Sequence, residues 1–137
     1  MNKFFLDAAY TVALSAVTDK YHQKAEILAK QIETEAIPLI TTRAVILEIG
    51  NAMARLRYRD ATVELLDALE EDPNVKIIPI SEELYNRAME LYRQRPDKEW
   101  GITDCISFEV MQDYELTEAL TTDEHFKQDG FRALLIE

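Results

Sequence analysis

Four acidic residues occupy positions where the surrounding sequence pattern predicts apolar side chains. They are Asp7, Glu48, Asp104 and Asp123. A carboxylate among core residues destabilises a fold unless it is paired or binds a metal ion. Because the four are spread through the chain, one shared acidic site is the simplest explanation for all of them. The chemistry that such a site favours is the binding of a divalent cation by carboxylate oxygens.

Each acid also has a structural explanation that needs no ligand. Asp7 would cap the helix that follows it, and Asp104 would interact favourably with the dipole of its own helix. Asp123 lies in a Thr-Thr-Asp-Glu segment that suits a turn or a cap. Glu48 would need an ion pair with an arginine, because it is flanked by an apolar helix face. The neighbours of Glu48 on that helix are Ala44, Val45, Ile49 and Ala52.

The histidines and the cysteine do not indicate another kind of site. Two histidines and one cysteine are too few for a zinc site of the usual kind. Neither His22 nor His125 has a partner at ligand spacing, and His125 is predicted to be a surface or packing residue. Cys105 has no base near it in sequence, so we predict a small buried hydrophobic residue in a reducing compartment. No glycine-rich phosphate loop is present.

The main basic cluster surrounds an aromatic residue. Arg55, Arg57 and Arg59 flank Tyr58 at alternate positions. These arginines have a structural interpretation, which is to favour the C-terminus of a helix. Their functional interpretation is to bind backbone phosphates, with Tyr58 stacking on a base. The sequence leaves both interpretations open.

Charge and length limit the class of protein. The chain has 137 residues, with 26 acidic and 15 basic side chains and a formal charge of −11. This charge argues against a general nucleic-acid coat protein, which needs a broad basic face. It leaves room for an enzyme that holds a phosphodiester through a metal ion and a local basic patch. We expect one domain over residues 1–137.

The N-terminus does not resemble a secretory signal. Asp7 interrupts the apolar run Phe4-Phe5-Leu6 after three residues, and the polar pair Tyr10-Thr11 follows. No run approaches the roughly 18 apolar residues of a membrane span. We therefore predict a cytoplasmic protein without a membrane partner.

The elements that must position the acids are short apolar strands alternating with amphipathic helices. Strands are predicted at residues 4–6, 38–41, 75–80, 119–121 and 133–136. Helices are predicted at residues 8–17, 22–35, 42 to about 56, 61–69, 82 to about 96, and 103–114. This alternation predicts parallel strands that are covered by helices on both faces. The fold class is therefore α/β, a three-layer α/β/α sandwich with a central parallel β-sheet.

The predicted topology explains how distant acids would meet. In open parallel sheets, ligands bind at the carboxyl ends of the strands, near the point where the strand order reverses. Asp7 and Asp123 each follow a predicted strand. Glu48 and Asp104 lie on helices that can pack over the same edge. We therefore predict that the four side chains converge at that edge of the sheet.

Four segments together match the pattern of a known family. They are Phe5-Leu6-Asp7, residues 45–52 around Glu48, residues 103–111 around Asp104, and the tail 118–126 followed by Gly130-Phe131. With these segments the chain resembles the PIN-domain ribonucleases, especially the VapC-type toxins of bacterial toxin–antitoxin pairs. The resemblance spans nearly the whole chain. It implies the same α/β/α fold, with Asp7, Glu48, Asp104 and Asp123 gathered around Mg²⁺ or Mn²⁺.

The resemblance also implies an activity and partners. It implies a divalent-metal-dependent endoribonuclease that hydrolyses RNA with a metal-activated water, a cognate antitoxin protein and a homodimer. Asp7 and Asp104 would bind the metal directly, while Glu48 and Asp123 would bind it or orient its waters. Glu48 is the candidate for helping to activate the nucleophile. In relatives the residue two positions after the first acid is often Ser or Asn, so Ala9 predicts a missing hydrogen bond at the site.

Two other function classes stay open at this point. The first is a non-catalytic α/β binding module whose acids are caps and ion pairs. The second is another metal-dependent phosphodiesterase or a nuclease acting on DNA. Stabilisation of the protein by Mn²⁺ would argue against the first class. Comparison of RNA and DNA cleavage would separate the second.

Overall fold

A single parallel sheet lies at the centre of the computed structural model, which describes residues 2–137. Its strands are β1 (Phe4–Leu6), β2 (Leu39–Thr42), β3 (Val75–Ile78), β4 (Glu118–Leu120) and β5 (Arg132–Ala133). Their order in the sheet is β3-β2-β1-β4-β5, and all four pairings are parallel. The chain therefore builds one half of the sheet outward from β1 and then returns to build the other half. The strand order reverses between β1 and β4.

Seven helices among residues 2–137 connect and cover the strands. They are α1 (Ala8–Ser15), α2 (His22–Glu35), α3 (Arg43–Ala52), α4 (Arg59–Glu71), α5 (Glu82–Gln94), α6 (Ile102–Asp113) and α7 (Glu124–Gln128). Two 3-10 turns, at Leu56–Tyr58 and Leu134–Ile136, complete the described chain. No helix among residues 2–137 is long and apolar enough to cross a membrane.

The hydrophobic core divides into two parts, one on each face of the sheet. Successive side chains of a strand point to opposite faces. Accordingly, Phe5 of β1 packs with buried residues of α3, α5 and α6, whereas Phe4 and Leu6 pack with residues of α1 and α2. Because both faces of β1 are covered, all three of its residues are apolar and buried. These contacts confirm the predicted α/β/α sandwich.

Some predicted boundaries were wrong, for physical reasons. Helix α3 ends at Ala52 instead of near residue 56, after Gly50 and Asn51, which both have low helix propensity. The last strand was predicted at residues 133–136, but only Arg132–Ala133 is a strand. After Ala133 the chain turns into the 3-10 turn at Leu134–Ile136, in which the Leu135 backbone N–H donates to the Thr121 carbonyl beyond the end of β4. Helix α7 was not predicted, because five residues are too few to show a helical pattern.

Candidate metal centre

Asp7 is held at the end of the central strand. It directly follows β1 and is only 7% exposed. Its Oδ2 atom accepts a hydrogen bond of 2.7 Å from Oγ1 of Thr121, a residue with no exposed surface. Asp7 occupies the N-cap position of α1, but its side chain makes no capping hydrogen bond. The structural explanation of Asp7 as a helix cap therefore does not account for its buried carboxylate.

The surroundings of Asp7 oppose its ionisation. Burial raises the pKa of Asp7 to about 7, and the charges of Glu48 and Asp104 act in the same direction against the Thr121 hydrogen bond. A cation next to such a carboxylate would favour its charged form and lower its pKa. Asp7 therefore has the environment of an acid that needs a positive partner.

Asp104 lies in the first turn of α6 and has two partners. Its Oδ2 atom accepts a hydrogen bond of 3.1 Å from the Gly101 backbone N–H, and it also lies 2.9 Å from Nδ1 of His125. Burial raises the pKa of Asp104 and the charge of Asp123 adds to this, although the hydrogen bonds from His125 and Gly101 oppose it. Asp104 therefore does interact with the N-terminus of its helix, as its structural explanation predicts, but it also lies close to other acids.

Asp123 caps α7, as its structural explanation predicts. Its Oδ1 atom accepts a hydrogen bond of 2.8 Å from the His125 backbone N–H. Its own N–H donates to Oγ1 of Thr121 at 3.0 Å. The Thr121 hydroxyl thus bonds to the side chain of Asp7 and to the backbone of Asp123. This one residue fixes the loop after β4 against the acid after β1.

Glu48 was expected to be an acid among core residues, and this prediction was wrong. Its side chain is exposed, as is that of Leu47, because the buried face of α3 runs through Val45 and Ile49 and leaves Glu48 at its border. Within residues 2–137 Glu48 forms no ion pair, so the arginine partner is absent there as well. Partial burial raises the pKa of Glu48, followed by the charges of Asp104 and Asp123. Glu48 therefore faces the other acids from the solvent side.

His125 was predicted to be a surface or packing residue, but it lies among the acids. Its Nδ1 atom is 2.9 Å from Oδ2 of Asp104 and 3.3 Å from Oδ1 of Asp123. Burial lowers the pKa of His125, but the hydrogen bond with Asp104 and the charges of both acids outweigh it, so the pKa is raised overall. Sequence reasoning missed this residue because Asp104 is 21 residues away. The only local signal was its position two residues after the capping Asp123.

Comparison with known proteins assigns the chain to a family. The family model described as the PIN domain matches residues 5–131. This chain belongs to the PIN-domain family. No protein of curated function matches the sequence at a significant level.

The fold of this PIN-domain protein is also that of a solved toxin. The crystal structure of VapC20 from Mycobacterium tuberculosis, described as a Sarcin-Ricin loop cleaving toxin, resembles it with a TM-score of 0.81. The two sequences are 24% identical, and the match covers 94% of this chain and 96% of VapC20. At this identity the likeness shows a shared fold. It agrees with the family and the VapC-type fold that were predicted from the sequence.

The side chains of this PIN domain fit a divalent cation. Ligand atoms of Asp104, Asp123 and His125 lie within 4.8 Å of one another. Among residues 2–137, no lysine or arginine forms an ion pair with any of the four acids. Carboxylate oxygens without a lysine or arginine partner are the kind of ligand that Mg²⁺ and Mn²⁺ take. PIN-domain nucleases are typically metal-dependent hydrolases, so the cluster is a possible metal site of that type.

The basic cluster follows α3 and does not lie at its C-terminus, because α3 ends at Ala52. Arg55 and Arg57 lie in the connection to α4, and Arg59 is the first residue of α4. The Arg59 guanidinium donates two hydrogen bonds, of 3.2 and 2.7 Å, to the Ala54 carbonyl. It therefore holds the connection together. The Arg57 guanidinium lies 4.7 Å from the ring centre of Tyr58, which is 43% exposed. All three arginines are exposed, but only Arg59 bonds to the backbone of the connection.

Cys105 agrees with its prediction. It is completely buried, and burial raises the pKa of its thiol to about 11. A thiol in this environment stays protonated and unreactive at neutral pH. The cysteine therefore packs in the core on α6 and plays no part in the chemistry of the neighbouring acids.

Proposed function

We propose that this PIN-domain protein is a divalent-metal-dependent endoribonuclease that hydrolyses phosphodiester bonds of RNA with a metal-activated water. The observation that supports this most is the group formed by Asp104, Asp123 and His125, whose ligand atoms lie within 4.8 Å of one another. The charges of Glu48 and Asp104 act on Asp7, and none of the four acids has a lysine or arginine partner in residues 2–137. Such a cluster is costly to fold and is useful only when a cation enters it. Membership of the PIN-domain family supports the same reaction class.

We assign metal binding to the less exposed acids and proton transfer to the exposed one. Asp7, Asp104 and Asp123 would hold the Mg²⁺ or Mn²⁺ ion, which on binding lowers the pKa of its water and neutralises charge on the phosphoryl oxygens. Thr121 keeps the Asp7 carboxylate aimed at the cluster through its 2.7 Å hydrogen bond. Glu48 faces solvent and has a raised pKa, so it is suited to accept a proton from the attacking water.

Ala9 was predicted to leave the site without one hydrogen bond. In this chain Thr121, which directly follows the neighbouring strand β4, supplies a hydroxyl to Asp7. We infer that Thr121 carries the positioning role alone, and that Ala9 leaves the activity class unchanged.

Substrate binding must overcome the charge of the protein. A formal charge of −11 repels RNA at long range. Arg55 and Arg57, beside the exposed ring of Tyr58, form a local basic patch that would bind backbone phosphates while Tyr58 stacks on a base. The patch lies after the end of α3, the helix that carries Glu48.

A cleavage assay with matched variants tests the proposed activity. Single-stranded RNA, structured RNA and DNA would each be incubated with Mg²⁺, Mn²⁺ or a chelator. Asp104→Asn keeps the shape of the side chain but removes one charge, so we expect metal-dependent RNA cleavage to fall at least ~100-fold. Asp67→Asn is the control, because Asp67 is exposed on α4. Full cleavage of RNA by Asp104→Asn would remove Asp104 from the mechanism.

The same assay separates the other function classes. Metal-dependent cleavage of DNA without cleavage of RNA would replace the proposal with a DNA nuclease. The apo form of Asp104→Asn should melt at the same temperature as the parent or higher, because the variant removes repulsion between acids. Its stabilisation by Mn²⁺ should be smaller than that of the parent. A large drop in the apo melting temperature would instead make Asp104 a structural cap.

We propose further that the protein is the toxin of a toxin–antitoxin pair, cytoplasmic and homodimeric. The VapC-like fold supports this role. Expression of the protein alone should arrest growth, and co-expression of a small protein encoded beside it should restore growth. If cells grow normally while they produce active enzyme, the proposed nuclease activity stands but the proposed toxin role is refuted. Light scattering of the purified protein measures whether it is a dimer.

A further inference from the structure

The ring of His125 occupies a position between two carboxylates. Its Nδ1 atom is 2.9 Å from Oδ2 of Asp104 and 3.3 Å from Oδ1 of Asp123, and ligand atoms of all three residues lie within 4.8 Å of one another. Adjacent ligand atoms around an octahedral Mg²⁺ or Mn²⁺ ion lie about 3.0 Å apart, because each is roughly 2.1 Å from the ion. The separations of the imidazole nitrogen from both carboxylate oxygens match that value.

The position of the His125 ring is fixed by its neighbours in the chain. The His125 backbone N–H donates to Asp123, which holds the first turn of α7. The next residue, Phe126, is completely buried and packs edge-to-face on Phe108 of α6, with ring centres 5.0 Å apart. The ring is therefore presented to Asp104 by a rigid element, which is what a metal ligand requires.

We propose that Nδ1 of His125 is a nitrogen ligand of the metal centre and makes the centre prefer Mn²⁺ over Mg²⁺. The proposal rests on the metal centre of the proposed ribonuclease. Mg²⁺ takes oxygen ligands almost exclusively, whereas imidazole nitrogen suits transition metal ions. A centre of carboxylates alone has no such reason to discriminate, so the preference is a property that His125 adds.

The other role open to His125 is that of a hydrogen-bond donor. An Nδ1–H group would donate to Asp104 at the same 2.9 Å, and would orient the carboxylates without touching the ion. The two roles differ in what they require of the side chain. A donor is replaced by any N–H group at that place, whereas a ligand needs the lone pair of an imidazole nitrogen.

Three variants separate the two roles. His125→Asn places an amide near the position of Nδ1, so it retains a hydrogen-bond donor and offers only oxygen as a ligand. His125→Ala removes both functions. His22→Asn is the matched control, because His22 bonds to the Ala13 carbonyl at 2.9 Å and belongs to α2. Calorimetry would give the Mn²⁺ and Mg²⁺ dissociation constants of each protein, and its apo melting curve would establish that it is folded.

Electron paramagnetic resonance tests the ligand assignment directly in the parent protein, and the variants serve as controls. Mn²⁺ bound to the parent protein, prepared with and without ¹⁵N-labelled histidine, should show coupling to an imidazole nitrogen. This coupling should vanish in His125→Asn and persist in His22→Asn. A hydrogen-bond donor outside the coordination sphere would not produce the coupling.

The expected result is a change in preference. His125→Asn should lose roughly tenfold in Mn²⁺ affinity while its Mg²⁺ affinity changes about twofold or less. An Mn²⁺/Mg²⁺ affinity ratio equal to that of the parent, or a parent spectrum without nitrogen coupling, would overturn the ligand assignment and leave His125 a positioning residue. RNA cleavage is measured on the same samples. If Mn²⁺ shows nitrogen coupling but RNA is not cleaved, only the proposed ribonuclease activity is refuted. If RNA is cleaved in a metal-dependent way without nitrogen coupling, only the assignment of His125 as a ligand is refuted.

Discussion

At the residue scale, the main feature is the carboxylate of Asp7, which is buried without a positively charged partner among residues 2–137. Asp7 is 7% exposed and its one hydrogen-bonding side chain is the neutral hydroxyl of Thr121. Its environment therefore favours the protonated form in the absence of a cation. The consequence is a stability that depends on pH, in a direction opposite to that of the usual paired carboxylate.

The pH dependence of the apo protein tests the state of Asp7. Its pKa is about 7 in the folded protein against an ordinary value of 3.8, so the folded state holds the proton more tightly. Stability from this group is complete below pH 3.8 and is lost as the pH rises to about 7. Asp7→Asn should therefore raise the melting temperature at pH 8 and have little effect at pH 4. The gain has an upper limit of about 4 kcal/mol, at 1.36 kcal/mol per unit.

The measurement is a series of melting curves in chelator between pH 4 and pH 8.5. Asp67→Asn is again the control, since Asp67 is exposed on α4. Parallel profiles of Asp7→Asn and the parent would show that Asp7 is ionised in the apo protein. Addition of Mn²⁺ should reverse the order of stability, because the ion binds the parent better.

The acids were predicted from the sequence because their residue type conflicts with their surroundings. The conflict is evident for Asp7, whose three preceding residues are all buried and apolar. The same conflict was misleading for Glu48. Apolar neighbours on a helix do not determine whether a side chain lies on the buried or the exposed side of the border between the two faces. It gave nothing for His125, because only the packing of α7 on α6 brings the ring to Asp104. The catalytic and metal-binding roles of these residues stay predictions.

At the scale of elements, an aromatic contact aligns the two helices that carry the centre. Phe108 lies one turn after Asp104 on α6, and Phe126 directly follows His125 on α7. Their rings meet edge-to-face at 5.0 Å, and Phe126 also packs against Phe5 of β1 at 6.1 Å. Such aromatic pairs add directional preference to hydrophobic burial. The candidate metal centre therefore depends on the core packing behind it.

Truncation of Phe126 tests this dependence. Phe126→Ala should cost ~3–5 kcal/mol of stability because it leaves a cavity in the core. It should also weaken stabilisation by Mn²⁺, since α7 loses its anchor. Leu84→Ala is the control, because Leu84 of α5 is equally buried in the same core but carries no neighbour of the centre. An Mn²⁺ response that falls equally in both variants would mean that the loss is general softening of the core.

Element types were predicted better than element ends. The apolar runs of β1 to β4 and the periodicity of α2, α5 and α6 were sufficient, because burial on both faces selects those patterns. The connection between α3 and α4 was not predicted. Its shape depends on the Arg59 guanidinium bonding to the Ala54 carbonyl, a contact of side chain and backbone that hydrophobic periodicity does not record. The same contact changes the interpretation of the basic cluster.

At the scale of the whole molecule, charge opposes the proposed substrate. The net charge of −11 makes association with RNA depend on where the few basic side chains lie. Arg59 is occupied by the backbone, so Arg55 and Arg57 are the proposed phosphate contacts. This arrangement predicts weak, local binding whose salt dependence is set mainly by these two contacts.

Replacement of both arginines tests that prediction. Arg55→Ala with Arg57→Ala should weaken RNA binding and reduce the slope of log affinity against log salt by about 1.4, since each phosphate contact on a single strand contributes roughly 0.7. The control is Lys30→Ala with Arg93→Ala, which makes the same change in net charge at exposed positions of α2 and α5. Equal slopes for the two double variants would place the phosphate contacts elsewhere. Binding is measured by fluorescence anisotropy on the catalytically inactive Asp104→Asn background.

The pairing of β1 with β4 has a consequence for how the protein is made. The hydrogen bond between Thr121 and Asp7 joins residues 114 positions apart, and α7 emerges later still. A ribosome adding about 5–20 residues per second exposes Asp7 many seconds before its partner strand exists. The centre is therefore complete only after α7 has left the exit tunnel. The proposed ribonuclease would not attack the messenger that encodes it before α7 has emerged.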